Sequence, residues 1–297
     1  MDWRSDEVDT VLSRLMDIWN VAQVIISMGG EAKEPSNPTI PTRWLLSILN
    51  RTIAEGAKAL EDMRIRQFTL MVFFNLYDAV KVYMTLMDEL PKDEVKYTLW
   101  KVLDAWVRMM QPITPHMAEE IWHNMGKSTY VSTEKWPTVE WQYINDDVEN
   151  AFRVVERLID DIREVIKVRG QVGTVNVYVG PPDYIYDIFN EAIEMMDREM
   201  AIRDVIRSLA SKYKGKGEVV ARIVNDIADG KLPRFKLSRD MEISVMHSFK
   251  SYIERRLGVK VIIQDAVAPI SDPANRAKLS LPGRPAIYVE PAYTNIY

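Results

Sequence analysis

The chain has 297 residues, of which 47% are hydrophobic and 27% are charged, and it contains no cysteine. This composition is typical of a globular protein of about two domains, and it excludes disulfides, thiolate nucleophiles and cysteine-based zinc sites. No apolar run reaches the ~20 residues of a membrane helix and the N-terminal segment is acidic rather than signal-like, so the sequence predicts a cytosolic protein without a membrane partner. The net charge of −5 argues against a uniformly basic nucleic-acid binder, although an average can hide a local basic patch.

Charge and tryptophan content both change near residue 145. Residues 1–145 hold 15 Lys and Arg against 20 Asp and Glu, whereas residues 146–297 hold 23 of each. All eight tryptophans precede residue 142, at positions 3, 19, 44, 100, 106, 122, 136 and 141. We therefore predict two domains, 1–145 and 146–297.

The first domain shows the 3.6-residue period of packed helices. One predicted buried stripe consists of Val8, Val11, Leu12, Leu15, Trp19, Ala22 and Ile26. A later stripe consists of Leu99, Val102, Leu103, Trp106, Val107 and Met110. Residues 41–60 and 63–88 repeat the pattern between them, and prolines separate the segments. Short connections between five such helices predict an antiparallel bundle.

The second domain alternates helices with short strands. Helices are predicted at residues 147–168, 202–209, 219–227 and 240–257, and Gly258 is predicted to cap the last one. Strands are predicted at residues 174–179, 259–264 and 286–290. The predicted fold class is therefore mostly α, with an antiparallel helical bundle followed by a small α/β domain.

Two histidines and a glutamate have a spacing that suits a metal site. His116, Glu120 and His123 can share one face of a helix. The helical zinc motif of two histidines flanking a glutamate is absent, and Thr114 and Pro115 place His116 in a first helical turn, as N-cap and N1. We therefore favour a structural histidine and predict neither metal ligands nor catalytic residues.

A basic segment is the clearer sign of a binding surface. Residues 202–260 hold 14 basic and 7 acidic side chains. The candidate phosphate contacts within it are Lys212, Lys214, Lys216, Arg234 and Lys236. Tyr213 and Phe235 lie among them, as on a surface where bases stack beside phosphate contacts. A solvated, salt-bridged surface would have the same composition, so charge alone does not separate the two interpretations.

Three stretches of the first domain are similar to class I aminoacyl-tRNA synthetases. Residues 106–122 (WVRMMQPITPHMAEEIW) resemble the W-x-R-x-x-x-P-x-x-P-H-x-x-E-E-x-W stretch in the helical anticodon-binding domain of the leucine, isoleucine and valine enzymes. Residues 43–50 (RWLLSILN) resemble the start of that domain, and residues 131–137 (VSTEKWP) resemble the segment that follows the long stretch. The resemblance covers residues 3–141.

Two stretches of the second domain are similar to one branch of that family. Residues 257–263 (LGVKVII) and 281–290 (LPGRPAIYVE) resemble the closing region of archaeal and eukaryotic-type leucyl-tRNA synthetases, whose small C-terminal domain contacts the long variable arm of the tRNA. The resemblance implies tRNA binding by Pro285, Ile287, Tyr288, Val289 and Glu290. Tyr288 is expected to stack on a base and Glu290 to accept a hydrogen bond from one. A plain edge strand is the alternative, and this chain departs from the family ending by continuing through residues 291–297.

The H-I-G-H-like and K-M-S-K-S-like signatures with which class I synthetases bind ATP do not occur in this sequence. The resemblance therefore implies the C-terminal tRNA-docking part of a leucine–tRNA ligase, with tRNA-Leu as its partner and no cofactor of its own. ATP and Mg²⁺ would belong to a catalytic domain outside these residues, and that catalytic body, upstream or separate, is a second expected partner. A free-standing relative that binds RNA or protein without serving aminoacylation is the alternative.

Overall fold

A computed structural model of the chain describes residues 5–30, 32–170 and 172–291. The chain divides into two compact units, Met1–Asn145 and Asp146–Tyr297. Trp3 and the extension 292–297 lie outside the described residues. The described part is mostly helical with one small sheet, which confirms the predicted fold class. None of its helices combines the length and the apolarity that crossing a membrane requires.

The first unit is an antiparallel helical bundle. Its described α-helices are α1 (Ser5–Ser27), α2 (Ile40–Glu61), α3 (Ile65–Leu70), α4 (Leu76–Leu86), α5 (Lys92–Met110) and α6 (Pro115–Asn124). A π-helical turn, Met71–Asn75, joins α3 to α4. Helix α5 packs against α1, α2 and α6, and its predicted stripe is fully buried. At the centre of this core, the Trp106 indole N–H donates a hydrogen bond of 2.9 Å to the Val72 carbonyl in the π-helical turn.

The buried part of α1 begins later along the helix than predicted, and of the predicted stripe Ala22 alone is fully buried. The side chains of α1 that are buried are Ile18, Val21, Ala22 and Ile25. The predicted members Val8, Val11 and Leu12 are instead exposed, Leu12 to 56%. The helical period was correct, but periodicity does not fix where along a helix its packing partners begin. Contact with α5 and α6 decides this, and those contacts bury the later turns.

The second unit is a small α/β domain. Its described helices are α7 (Asp146–Arg169), α8 (Asp183–Asp197), α9 (Ile202–Lys212), α10 (Gly217–Ala228), α11 (Arg239–Ser248) and α12 (Lys250–Leu257). Its described strands are β1 (Val172–Val179), β2 (Lys260–Asp265) and β3 (Ala286–Pro291). The sheet has the order β2-β1-β3, with β1 parallel to β2 and antiparallel to β3. Strand β3 is therefore an edge strand.

Two helices of this unit correct the prediction. Helix α8 was not predicted, and the helix predicted at 240–257 is two helices. They are separated by Phe249, which is fully buried with φ −104° and ψ 13° and whose ring centroid lies 4.7 Å from that of Phe152. Burying this ring against α7 favours a bend over one straight helix. Gly258 ends α12 with φ +68°, which confirms the predicted C-terminal cap.

Candidate nucleic-acid interface

Three of the five predicted phosphate contacts form ion pairs with helix α8. The pairs are Lys212–Glu191 (2.6 Å), Arg234–Asp197 (3.1 Å) and Lys236–Glu194 (2.5 Å). Their basic side chains are more than half exposed, and exposed ion pairs contribute about 0–1 kcal/mol. A phosphate can therefore replace each carboxylate at little cost, but the unbound surface here is close to neutral. The salt-bridged alternative therefore describes these three cations, and their acidic partners were not predicted because α8 was not.

The other two predicted cations lie on the loop between α9 and α10. Lys214 is exposed, and the Lys216 ammonium lies 4.7 Å from the centroid of the Tyr184 ring. Tyr213, predicted to stack on a base, is half-buried and donates a 2.8 Å hydrogen bond to Glu191. Burial and this hydrogen bond raise the pKa of the Tyr213 hydroxyl, so it remains a neutral donor. The lysines are accessible here, whereas the tyrosine already supports the fold.

Phe235, the second predicted stacking residue, is also engaged within the unit. Its ring is half-buried, and the Arg153 guanidinium lies 5.7 Å from its centroid. Such a cation over an aromatic face contributes about 0.5–1 kcal/mol at an exposed site. A base that stacks on Phe235 must therefore displace Arg153 or use the opposite face of the ring.

The predicted tRNA-contacting ending forms the edge strand β3. Val289 pairs with Val175 of β1 and is buried, and Ile287 pairs with Val177 and is half-buried. Pro285, just before the strand, is buried as well. The edge-strand alternative is thus correct as a description of the backbone. The outer side of β3 has no strand partner among the described residues, so its backbone groups can still bind a ligand.

Tyr288 and Glu290 both have partners within the unit. The Glu290 carboxylate accepts a 2.8 Å hydrogen bond from the Asn176 amide, whose own oxygen accepts one of 3.0 Å from Gln264. Tyr288 packs against a buried cluster that includes Tyr178. A base amino group that binds Glu290 must compete with Asn176 or use the second carboxylate oxygen. Their predicted contacts with tRNA stay predictions.

The turn that leads into β3 is fixed by a buried carboxylate. Leu281 and Arg284 exchange backbone hydrogen bonds of 3.1 and 2.9 Å, and Gly283 between them has φ +72°. The fully buried Glu242 accepts a 3.2 Å hydrogen bond from the Gly283 N–H and one of 2.7 Å from the Tyr186 hydroxyl. Burial raises the pKa of Glu242 to about 7. This anchor sets where β3 begins and where Arg284 emerges.

A groove of about 360 Å³, which was not predicted, lies beside this turn and β3. Three arginines from separate places in the chain line it: Arg222 of α10, Arg276 and Arg284. Leu279 and Ile287 supply apolar walls. Because the arginines are 54 and 8 residues apart, no local motif marks them in the sequence.

The histidines and the glutamate of α6 do not form a metal site. No group of three His, Asp or Glu side chains in the described ranges is placed to hold a metal ion. His116 lies in the first turn of α6 behind Pro115, as predicted, but it is exposed. Thr114 does not cap the helix with its side chain, which corrects the prediction, because its hydroxyl donates instead to the Met110 carbonyl at 3.3 Å.

Comparison with known proteins shows which proteins this chain is similar to. Residues 42–176 match the family described as the anticodon-binding domain of tRNA ligase, a range that includes α7 and the first part of β1. The chain is 28% identical to a leucine–tRNA ligase of Pyrococcus abyssi, 27% to one of Staphylothermus marinus and 29% to one of Ignicoccus hospitalis. Each match covers 97% of this chain and 28–29% of the relative, so the chain spans less than a third of those proteins. The chain is thus similar to the anticodon-binding domain of tRNA ligases over residues 42–176 and to leucine–tRNA ligases along 97% of its own length.

Proposed function

We propose that this chain is a tRNA-binding part of a leucine–tRNA ligase and that it docks tRNA-Leu through the long variable arm. The observation that carries the proposal is the similarity to leucine–tRNA ligases along 97% of the chain. The anticodon-binding-type bundle then contributes one RNA-binding unit, and the α/β unit contributes a second.

Exposed cations and an open strand edge support this role for the α/β unit. Lys214 and Lys216 are accessible to phosphates, while Lys212, Arg234 and Lys236 can exchange their carboxylate partners for phosphates. Phosphate contacts position an RNA, whereas base edges in unpaired nucleotides give the specificity. We assign the reading of the variable arm to residues 285–290, whose outer backbone edge lacks a strand partner among the described residues.

We also propose that aminoacylation chemistry lies outside this chain. Its residues contain neither signature for ATP binding, so ATP and Mg²⁺ would be held by a separate or upstream catalytic body. The isolated chain should therefore show no leucine-dependent exchange of pyrophosphate into ATP. Exchange by the purified chain at a rate above a heat-denatured control would contradict this part of the proposal.

Equilibrium binding at fixed salt tests the RNA partner. Fluorescence anisotropy with labelled tRNA-Leu should give tighter binding than with the same tRNA whose variable arm is cut to a short loop. Both affinities should fall as salt rises, because neutralised phosphates release counterions. Equal affinity for both RNAs would remove the variable arm from the proposal. Failure to bind either RNA, with retained binding to a protein partner, would favour a free-standing protein-binding relative.

A further inference from the structure

The described grooves differ in whether their cations already have acidic partners. In the bundle, one groove contains Lys101, which lies 2.6 Å from Glu140. Arg108 and Lys127, which line the same groove and its neighbour, both pair with Asp104. As in the pairs on α8, a phosphate that binds at these grooves must first displace a carboxylate.

The arginine-lined groove beside β3 is different. Within the described ranges, no carboxylate lies within ion-pair distance of the Arg276 or Arg284 guanidinium, and both side chains are exposed. Arg222 makes only a loose contact of 3.8 Å with Asp226. One acid, Asp161, lines the groove together with the three arginines, and burial raises its pKa while the charges of Arg157 and Arg284 lower it. The groove therefore keeps a net positive charge.

The chemistry of this groove suits a nucleotide better than a bare anion. A guanidinium group can donate two parallel hydrogen bonds to the oxygens of one phosphate, and its plane can stack on a base. Leu279, 39% exposed, and the half-buried Ile287 offer apolar surface against which a base can lie. Ligand pockets span ~300–1,000 Å³, so this groove of about 360 Å³ is at the small end of the range. Its size suits one nucleotide rather than a duplex.

The groove also adjoins the open side of the sheet. Ile287 is both a wall residue of the groove and a member of β3, whose inner side pairs with β1. The outer backbone groups of the same strand lack a strand partner among the described residues. Base edges that are unpaired can hydrogen-bond to such groups, whereas a base within a helix cannot present the same edges.

We infer that this groove binds a single unstacked ribonucleotide of a looped RNA segment, with its flanking phosphates on Arg276 and Arg284 and its base against Leu279 and Ile287. Arg222 of α10 contributes a third positive charge to the lining of the groove. The inference rests on the proposed function, since tRNA is the RNA that would present the loop. The competing occupant is an acidic peptide that adds a strand to β3.

Two RNA probes and a matched control test the site. The variant Arg276→Ala/Arg284→Ala is compared with Arg203→Ala/Arg207→Ala, which removes the same charge from exposed arginines of α9. Both are measured against tRNA-Leu and against a short single-stranded RNA over a range of salt. The groove variant should weaken binding about tenfold or more and flatten the salt slope by about 1.4–1.8, as expected for two lost phosphate contacts. Leu279→Ala should weaken binding without changing the slope.

The outcomes separate this inference from the proposed function. Wild-type affinity and slope in the groove variant, or an equal loss in the α9 control, would overturn the groove site even if tRNA-Leu binds. Binding of the short RNA that depends on Arg276 and Arg284, without binding of tRNA-Leu, would support the groove and overturn the proposed function. Loss of both RNAs together with tight binding of a poly-glutamate peptide would assign the groove to a protein partner and overturn the inference.

Discussion

The buried carboxylate under the Leu281–Arg284 turn makes the stability of the α/β unit depend on pH. Glu242 is fully buried, and its two described hydrogen-bond donors, the Tyr186 hydroxyl and the Gly283 N–H, are both neutral. Burial raises the pKa of Glu242 from 4.5 to about 7. The folded state therefore binds the proton more tightly than the unfolded state does. A shift of about 2.5 units corresponds to roughly 3 kcal/mol.

The direction of the effect follows from that shift. Below pH 4.5 the carboxyl is protonated in both states and burial carries no charge penalty. As the pH rises toward 7, the unfolded state ionises first, so the free energy of unfolding falls, and above 7 the loss is complete. Glu242→Gln removes this ionisation while keeping the side-chain volume and one acceptor. Between pH 5 and pH 8, the free energy of unfolding of the variant should therefore fall by about 2–3 kcal/mol less than that of the wild type.

Urea unfolding of the whole chain at pH 5 and pH 8 measures this difference. Far-UV circular dichroism follows both units, whereas tryptophan fluorescence follows only the bundle, because every tryptophan precedes residue 142. Glu199→Gln serves as the control, since Glu199 is an exposed glutamate of the same unit. If Glu242→Gln and the wild type respond equally to pH, the carboxylate is not buried in the ionised form and the reasoning is wrong.

Three further substitutions test the packing and the RNA contacts. Trp106→Ala should lower the free energy of bundle unfolding by about 3–5 kcal/mol in urea titrations, because removal of the fully buried indole leaves a cavity. The control is Trp141→Ala, whose side chain is 68% exposed, and a comparable loss in this control would contradict the account. Gly283→Ala should cost about 2–4 kcal/mol, since its Cβ would lie 2.3 Å from the Pro233 ring at φ +72°, whereas Gly215→Ala, with φ +77° and open space around it, should cost only about 1 kcal/mol. Lys214→Ala should weaken tRNA-Leu binding and reduce the slope of log affinity against log salt concentration by just under one unit. An unchanged slope would mean that Lys214 is a solvated side chain that does not contact a phosphate.

Apolar periodicity predicted most of the helices because it records which face of a helix is buried. The stripe from Leu99 to Met110 is buried as predicted, since α5 has neighbours along its whole length. In α1 the same reasoning placed Val11 and Leu12 in the core, although packing begins only near Ile18. Periodicity is a local property of the chain, whereas the position of the neighbouring helices is not.

The candidate site was less predictable than the fold because its properties come from distant residues. The positive segment was visible in the sequence, but Glu191 and its acidic neighbours on α8 pair with Lys212 and other cations from 21 to 42 residues away. The groove beside β3 brings Arg222, Arg276 and Arg284 together only through the fold. Counting charges along the chain therefore identified the accessible Lys214 but did not reveal which arginines lack acidic partners.

The central claim is that this chain docks tRNA-Leu through the long variable arm. The most direct measurement is a gain of affinity: the long arm of tRNA-Leu is transplanted onto a tRNA with a short arm, and the dissociation constants of the chimera and both parents are measured at ~0.15 M ionic strength. The account predicts that the chimera binds far more tightly than its short-armed parent and approaches tRNA-Leu. A chimera that binds no better than its short-armed parent, while tRNA-Leu itself binds tightly, would contradict the claim.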